Sequence, residues 1–240
     1  MSRHTLKQFL TDDALARAAA GAWLDLIQSA NQTGNAHTVA LSGGRITKKF
    51  FAETVQQSKT RALSLATVQF FWADERCVPP SDAESNYRLA RESLFEPLDV
   101  PVANRHRVLG EEPPPFAATE AEAEICRLAS LNNAGLPVLD LVLLGLGEDG
   151  HVASLFPNAG PERENSSHAF FAIEDSPKPP PARVTLSYAA IAAARQVWVL
   201  VSGSGKASAL RDSLRVGGQT PLARVLNMRK ETVIFTDIPS

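Results

Sequence analysis

LDLVLLGLGEDGH, residues 139–151, is the stretch on which the reading of the fold turns. Leu141 to Leu144 are continuously apolar rather than alternating, and the run stops abruptly in a glycine-rich polar turn. A strand of that kind is buried on both faces, as strands of parallel sheets are. The turn also fits G-x-G-x-x-G, the dinucleotide fingerprint. Two features oppose that reading. Glu148 and Asp149 place negative charge where a pyrophosphate would lie. The acid expected about 20 residues further on would have to come from beyond a proline and a polar loop. What the turn displays is Asp149, two residues before His151. A carboxylate beside an imidazole holds its tautomer and steadies the imidazolium, leaving the other nitrogen as a base near neutral pH.

Outward from this stretch the pattern alternates. Asp12 and Asp13 precede ALARAAAGAWLDLIQSA, an amphipathic helix with acids at its start. HTVALSGG reads as a buried strand ending in a glycine turn, and KKFFAETVQQ as the helix after it. ATVQFFWADER reads as one strand that ends in charge. SNYRLARESLFEPL reads as a helix capped by Ser85 or Asn86, GEEPPPF as a loop, and ATEAEAEICRLASLNNAG as a helix closed by a glycine. Beyond residue 157, PERENSSHAF and EDSPKPPPAR read as polar or proline-rich surface segments. RQVWVLVSGSG, GKASALRDSLRV and ETVIFTDIP then read as strand, helix and closing strand. The alternation predicts an α/β fold with a mostly parallel sheet, and residues 1–240 read as a single domain without an internal repeat.

Composition removes several classes. The formal net charge of −2 leaves no positive excess for general nucleic-acid binding. Cys77 and Cys126 are the only cysteines, far apart, so neither a disulfide framework nor a cysteine metal site is expected, and a reducing compartment fits. The N-terminal stretch MSRHTLKQFLTDDALARAAA lacks the apolar core and cleavage pattern of a leader peptide. No apolar run reaches the roughly 18 residues that read as a membrane span. The longest, YAAIAAARQVWVLV, is cut by Arg195 and Gln196. A cytoplasmic protein with no membrane or nucleic-acid partner is the expectation. His4, His37, His106, His151 and His168 show no metal-ligand spacing. The G-x-S-x-G elbow of the α/β-hydrolases is absent.

SGGR, DER, GLGEDGH and SGSGK each sit where an apolar strand stops. Ligands of parallel α/β sheets bind at the carboxyl ends of the strands, so the four turns are expected to converge. Ser42, Gly43 and Gly44 offer backbone N–H groups to an anion at a helix start, although glycines punctuate loops everywhere. SGSGK is not a P-loop, because its spacing fails and Ala207 stands where a magnesium-binding hydroxyl belongs. Lys206 in the first turn of a helix is still electrostatically awkward, and a bound anion removes the awkwardness. Arg76 suits bidentate recognition of an anion, with Asp74 and Glu75 orienting it or touching sugar hydroxyls, while the bland alternative is a charged strand end. Lys178 and Arg183 stand in a stiff proline frame, again against a reading as solvated surface charges.

These motifs resemble a known family in order. ALSGG at 40–44, FFWADERCVPPSDAESNYRLA at 70–90, LDLVLLGLGEDGHVASLFP at 139–157, SPKPPPARVTLS at 176–187 and VSGSGKA at 201–207 are similar to the 6-phosphogluconolactonases. That group is related to glucosamine-6-phosphate deaminases and ribose-5-phosphate isomerases. The resemblance implies a Rossmann-like sheet flanked by helices, of the sugar-phosphate isomerase/deaminase type. It implies hydrolysis of 6-phospho-D-glucono-1,5-lactone in the oxidative pentose phosphate pathway, without metal or cofactor. It makes His151 the base with Asp149 as its partner. Ser42, Gly43, Gly44, Arg76, Arg183 and Lys206 become substrate or phosphate ligands. Asp74 at the charged strand end and Gly147 in the glycine turn are added as substrate contacts, and backbone N–H groups of a glycine turn are expected to meet the oxyanion. The family continues SGGSTP, whereas this chain reads SGGRIT, so Arg45 joins the phosphate candidates in place of a hydroxyl.

Two alternatives stay open at this point. One is a deaminase or isomerase on the same scaffold, which VASLFP after the histidine disfavours. The other is a non-catalytic sugar-phosphate sensor, which the retained Asp-x-His pair disfavours. A sugar-phosphate lactone is the expected partner, and a monomer or weak homo-oligomer the expected state.

Overall fold

The apolar runs become strands that helices cover on both faces. The computed structural model describes residues 4–239, so the part of the leader-peptide reading that rests on Met1–Arg3 lies outside the described residues, as does Ser240. The chain begins β1 (Thr5–Gln8), α1 (Asp12–Thr33), β2 (His37–Leu41), α2 (Arg45–Arg61), β3 (Val68–Trp72), β4 (Asp74–Arg76) and α3 (Asn86–Ala90). It continues α4 (Pro114–Leu128), β5 (Ser130–Leu131), β6 (Pro137–Val138), β7 (Leu141–Gly145), α5 (Pro161–Glu164), β8 (Phe170–Ile173) and β9 (Arg183–Leu186). It closes with α6 (Tyr188–Ala193), β10 (Gln196–Val201), α7 (Ala207–Leu214), α8 (Pro221–Met228) and β11 (Val233–Thr236).

The main sheet has the order β1-β11-β10-β7-β2-β3, and every pairing in it is parallel. All five residues of β2 are buried, as are Leu141–Leu144 of β7, which is why neither stretch alternates. From β2 the chain steps out to β3 on one side and later returns to β7 on the other. The β2/β7 boundary is therefore the switch point, where turns leaving the two strands diverge and open a crevice. Thr11 caps α1 by accepting from the Ala14 N–H, and Gly34 closes it at φ 71°. The helix buries Trp23 against Phe50 and Phe70, and Phe70 in turn meets Phe95. Among the described residues no helix is long and apolar enough to cross a membrane.

Five expectations are corrected. ATVQFFWADER is two strands, because Ala73 donates to Leu41 O of β2 but accepts from Leu186 N of another sheet. That sheet, β4-β9-β8, is antiparallel and was not expected. Its strands β8 and β9 lie in or beside segments read as surface loops, and four residues each are too few to show a period. SNYRLARESLFEPL is α-helical only over α3, then widens to a π turn at Arg91–Phe95 and tightens to a 3₁₀ turn at Glu96–Leu98, where Pro97 brings no N–H. α4 starts inside the stretch read as a loop, with Pro114 at its first position, and stops at Leu128. Gly135 sits in the β5–β6 turn at φ 75° rather than closing the helix. β1 and α8 also went unread.

Candidate active site

The turns after β2, β7 and β10, together with β4 and the loop before β9, enclose a cavity of about 300 Å³ at the switch point. Its walls include Ser42, Gly43, Gly44, Arg45, Asp74, Arg76, Gly147, His151, Arg183 and Lys206. Asp149 stands behind His151 rather than in the wall. Most of the residues singled out in sequence therefore meet in one place, Lys178 among them, and Asn86 and Ala153 join them.

The β2 turn leads straight into the N-terminus of α2. Ser42 Oγ donates to Leu143 O at 2.8 Å, which ties the turn to β7. Gly43 lies against Asn86, where an added Cβ would come 1.9 Å from Oδ1. Gly44 at φ 107° precedes α2 with no side-chain cap, so the first-turn N–H groups face the cavity edge without a capping acceptor. Arg45 opens α2 on the exposed side, its guanidinium close to Gly203. Asp237 holds the Gly203 turn through Ser202 Oγ (2.8 Å) and Gly203 N (3.1 Å). Burial pushes the Lys206 ammonium below its usual range, Arg45 adds to this, and Glu148 and Asp237 oppose it. Two cations crowd one turn.

β4 sorts its charged triplet by side. Successive strand residues point oppositely, so Asp74 and Arg76 face the cavity while Glu75 faces away. Glu75 accepts from the N–H groups of Arg76, Asn86 and Tyr87 and from Ser85 Oγ. Burial pushes its carboxyl up to about 7 against the pull of those hydrogen bonds. It holds the start of α3 and does not touch the cavity, contrary to its expected role beside Arg76. Asp74 is buried, accepting from Ser154 Oγ at 2.7 Å. Arg76 donates to Glu84 O at 2.6 Å, and its Nε is buried without a hydrogen-bond partner. Cys77 next to it is a half-buried thiol pushed up to about 11 by burial, which suits the reading of an unreactive residue.

The β7 turn carries the histidine–carboxylate pair. His151 Nδ1 lies 2.5 Å from Asp149 Oδ1, and no protein group among the described residues bonds Nε2. Gly150 makes the turn at φ 85°. Gly147 has no room for a side chain, since its Cβ would sit 2.0 Å from His151 Nδ1 and 2.5 Å from Asp149 Oδ1. The Gly147 N–H donates to His151 O (2.9 Å) and the Gly150 N–H to Gly147 O (3.0 Å). Both N–H groups are spent within the turn, and Gly147 contributes space for His151 and Asp149. Burial drives His151 below the usual histidine range; Asp149 and Asp74 pull it upward, and Lys178 adds to the lowering. Burial would raise the Asp149 carboxyl, but the hydrogen bond and charge of His151, with Lys178, keep it below its usual range.

Asn86 and Ser154 are the site residues that sequence reasoning missed. Asn86 drew notice only as a helix cap, and Ser154 only as part of VASLFP. Among the described residues no cluster of histidine, cysteine or carboxylate side chains has the makings of a metal site.

The crevice, with a glycine turn and cations on one wall and a carboxylate-held imidazole on the other, lies at the switch point of a parallel α/β sheet. Residues 10–235 match the glucosamine-6-phosphate isomerases/6-phosphogluconolactonases, and the chain belongs to that family. Arabidopsis thaliana 6-phosphogluconolactonase 3, chloroplastic, is 36% identical over 211 residues, 85% of this chain and 64% of that one. The chain thus spans just under two thirds of that relative's length. The 6-phosphogluconolactonase of Streptomyces coelicolor is 33% identical over 213 residues, covering 86% of this chain and 81% of its own. Among solved structures, 6-phosphogluconolactonase from Trypanosoma cruzi superposes with a TM-score of 0.85 at 27% identity, covering 98% of this chain and 96% of that one.

Proposed function

We propose that the protein hydrolyses 6-phospho-D-glucono-1,5-lactone to 6-phospho-D-gluconate, the lactone-opening step of the oxidative pentose phosphate pathway. The names of its relatives support the substrate, and one observation carries the chemistry: His151 has Nδ1 held by a carboxylate and Nε2 open to a cavity whose other wall is cationic. The phosphate sits against the N-terminus of α2 with Arg45 and Lys206, and Ser42, Gly43 and Gly44 shape that cradle. Arg76, in the cavity wall, meets a substrate oxygen through its guanidinium. Asp74, with Asn86 beside it, faces the sugar hydroxyls.

With the phosphate fixed, C1 lies by His151. Water attacks C1 as Nε2 takes its proton, and Asp149 steadies the imidazolium. The tetrahedral intermediate collapses by breaking the bond from C1 to the ring oxygen, which receives the proton back from His151. The product is the open-chain acid. Positioning supplies much of the rate, because the lactone already hydrolyses in water.

The test is proton release from the lactone above the spontaneous rate, run beside ammonia release from glucosamine 6-phosphate. Lactone turnover without ammonia is expected. Ammonia release, or a lactone rate no faster than buffer, would sink the reading.

A further inference from the structure

The proline-rich loop before β9 is folded around a buried guanidinium. Ser176 N donates to Pro181 O at 3.0 Å, and Ser176 Oγ bonds both Lys178 O (2.9 Å) and Lys178 N (3.2 Å). Arg183, 4% exposed, directs Nε to Pro180 O (3.0 Å) and Nη2 to Lys178 O (3.1 Å) and Pro179 O (3.0 Å). Its Nη1 approaches Ser154 Oγ at 3.4 Å and Asp74 at 4.0 Å. A guanidinium has five N–H groups. With three on backbone carbonyls and a fourth on Ser154, no two-donor edge remains for a phosphate. Arg76, its register partner in the sheet, lines the cavity and spends only Nη1 on a backbone carbonyl, Glu84 O.

What this strap presents is Lys178. Its Nζ lies 3.5 Å from Asp149 Oδ1, the same oxygen that faces His151 Nδ1. We propose that Lys178 is a positioning residue for the base, held in place by Arg183 through the strap, and that it shares the Asp149 carboxylate so that His151 remains free to accept a proton. The charged groups facing His151 are Asp149 on its own turn, Asp74 from β4 and Lys178 from the strap. Two carboxylates without a cation would favour the imidazolium and shrink the fraction of free base at a given pH. Lys178 offsets them. Arg183 therefore serves the base side of the site, not the phosphate side.

The kinetic part of this inference rests on the lactonase reading, but the titration does not. The imidazole of His151, assigned by loss of its signal in His151→Gln, is titrated by NMR without substrate in wild type, Lys178→Met, Lys178→Arg and Arg183→Met. Loss of the cation is expected to raise the His151 midpoint by roughly half a pKa unit, the size Coulomb's law gives for a nearby solvated charge. Lys178→Arg should restore it. The acid limb of kcat/KM should move to higher pH with the midpoint. Arg183→Met should raise the midpoint too, and lower kcat more than it raises KM. A midpoint unmoved or lowered in Lys178→Met overturns the proposal, as does an Arg183→Met that raises KM alone. If Arg183→Met does not fold, the two Lys178 variants decide. A wild type without lactone turnover but with the shifted midpoint would sink the lactonase reading and leave the placement of Lys178 standing.

Discussion

His151 and His106 are built alike but differ at the second ring nitrogen. Each sets Nδ1 against a carboxylate, Asp149 at 2.5 Å and Glu124 at 2.8 Å, and burial holds each below the usual histidine range. His106, however, also meets Gln69 Oε1 through Nε2 at 2.7 Å and stacks on Phe71 at 4.8 Å. Both its nitrogens are occupied, so it ties β3 to α4. His151 leaves Nε2 to a cavity lined by cations. A histidine–carboxylate pair thus does not by itself mark a site. The second nitrogen and the charge around it do.

The comparison breaks most easily in the largest effect. His151→Ala should lower kcat for the lactone by roughly 10²- to 10⁴-fold, the usual contribution of a general base. His106→Ala should leave kcat within about twofold and instead cost roughly 1–3 kcal/mol of stability, from buried hydrogen bonds left unmade. Steady-state kinetics and urea midpoints on the two variants check this, and an exchange of the two phenotypes would refute the assignment.

Gly147→Ala sharpens the geometric half. The added methyl collides with both His151 and Asp149, and a displacement of about 1 Å in a catalytic group is worth up to about 10² in rate. A kcat loss of that order with little change in KM is expected in the folded variant. Undiminished turnover would mean that His151 acts from another position.

The smallest effect is on stability against pH. The folded His106 midpoint lies below the ordinary 6.5, so between the two values the unfolded chain binds more protons than the folded one. Stability then rises with pH through that window and is lost as pH falls from about 6.5 toward the folded value. His37, buried with Trp23 Nε1 donating to its Nε2, adds to the same slope. His106→Gln should flatten it. Urea midpoints at about pH 5 and pH 7.5 measure the difference, and an unchanged slope would mean that His106 titrates alike in both states.

Much of the cavity was legible because its demands are local. The turns after β2, β7 and β10 follow uninterrupted apolar runs, and Gly44, Gly150 and Gly203 occupy backbone conformations that glycine favours. Asp149 and His151 are two residues apart, so their contact needed no distant partner. Glu75 was misread because DER looks like one charged unit, and only strand geometry sends its middle residue to the opposite side. Asn86 and Ser154 were missed because their partners, Asp74 and Gly43, lie 12 to 80 residues away in the chain. Arg183 showed in sequence as a cation beside prolines, with nothing to say that the prolines were what it binds.

The parallel α/β sheet, its switch-point turns and the Asp149–His151 pair can be read from the chain alone, since burial on both faces and tight glycine turns leave their mark residue by residue. Only the tertiary structure decided which charges serve which task. The short antiparallel pairing of β4 with β9 sets Arg76 opposite Arg183 and brings Lys178 against Asp149. Strands of three and four residues carry too little periodic signal to announce such a pairing, and the electrostatics of the base depend on it.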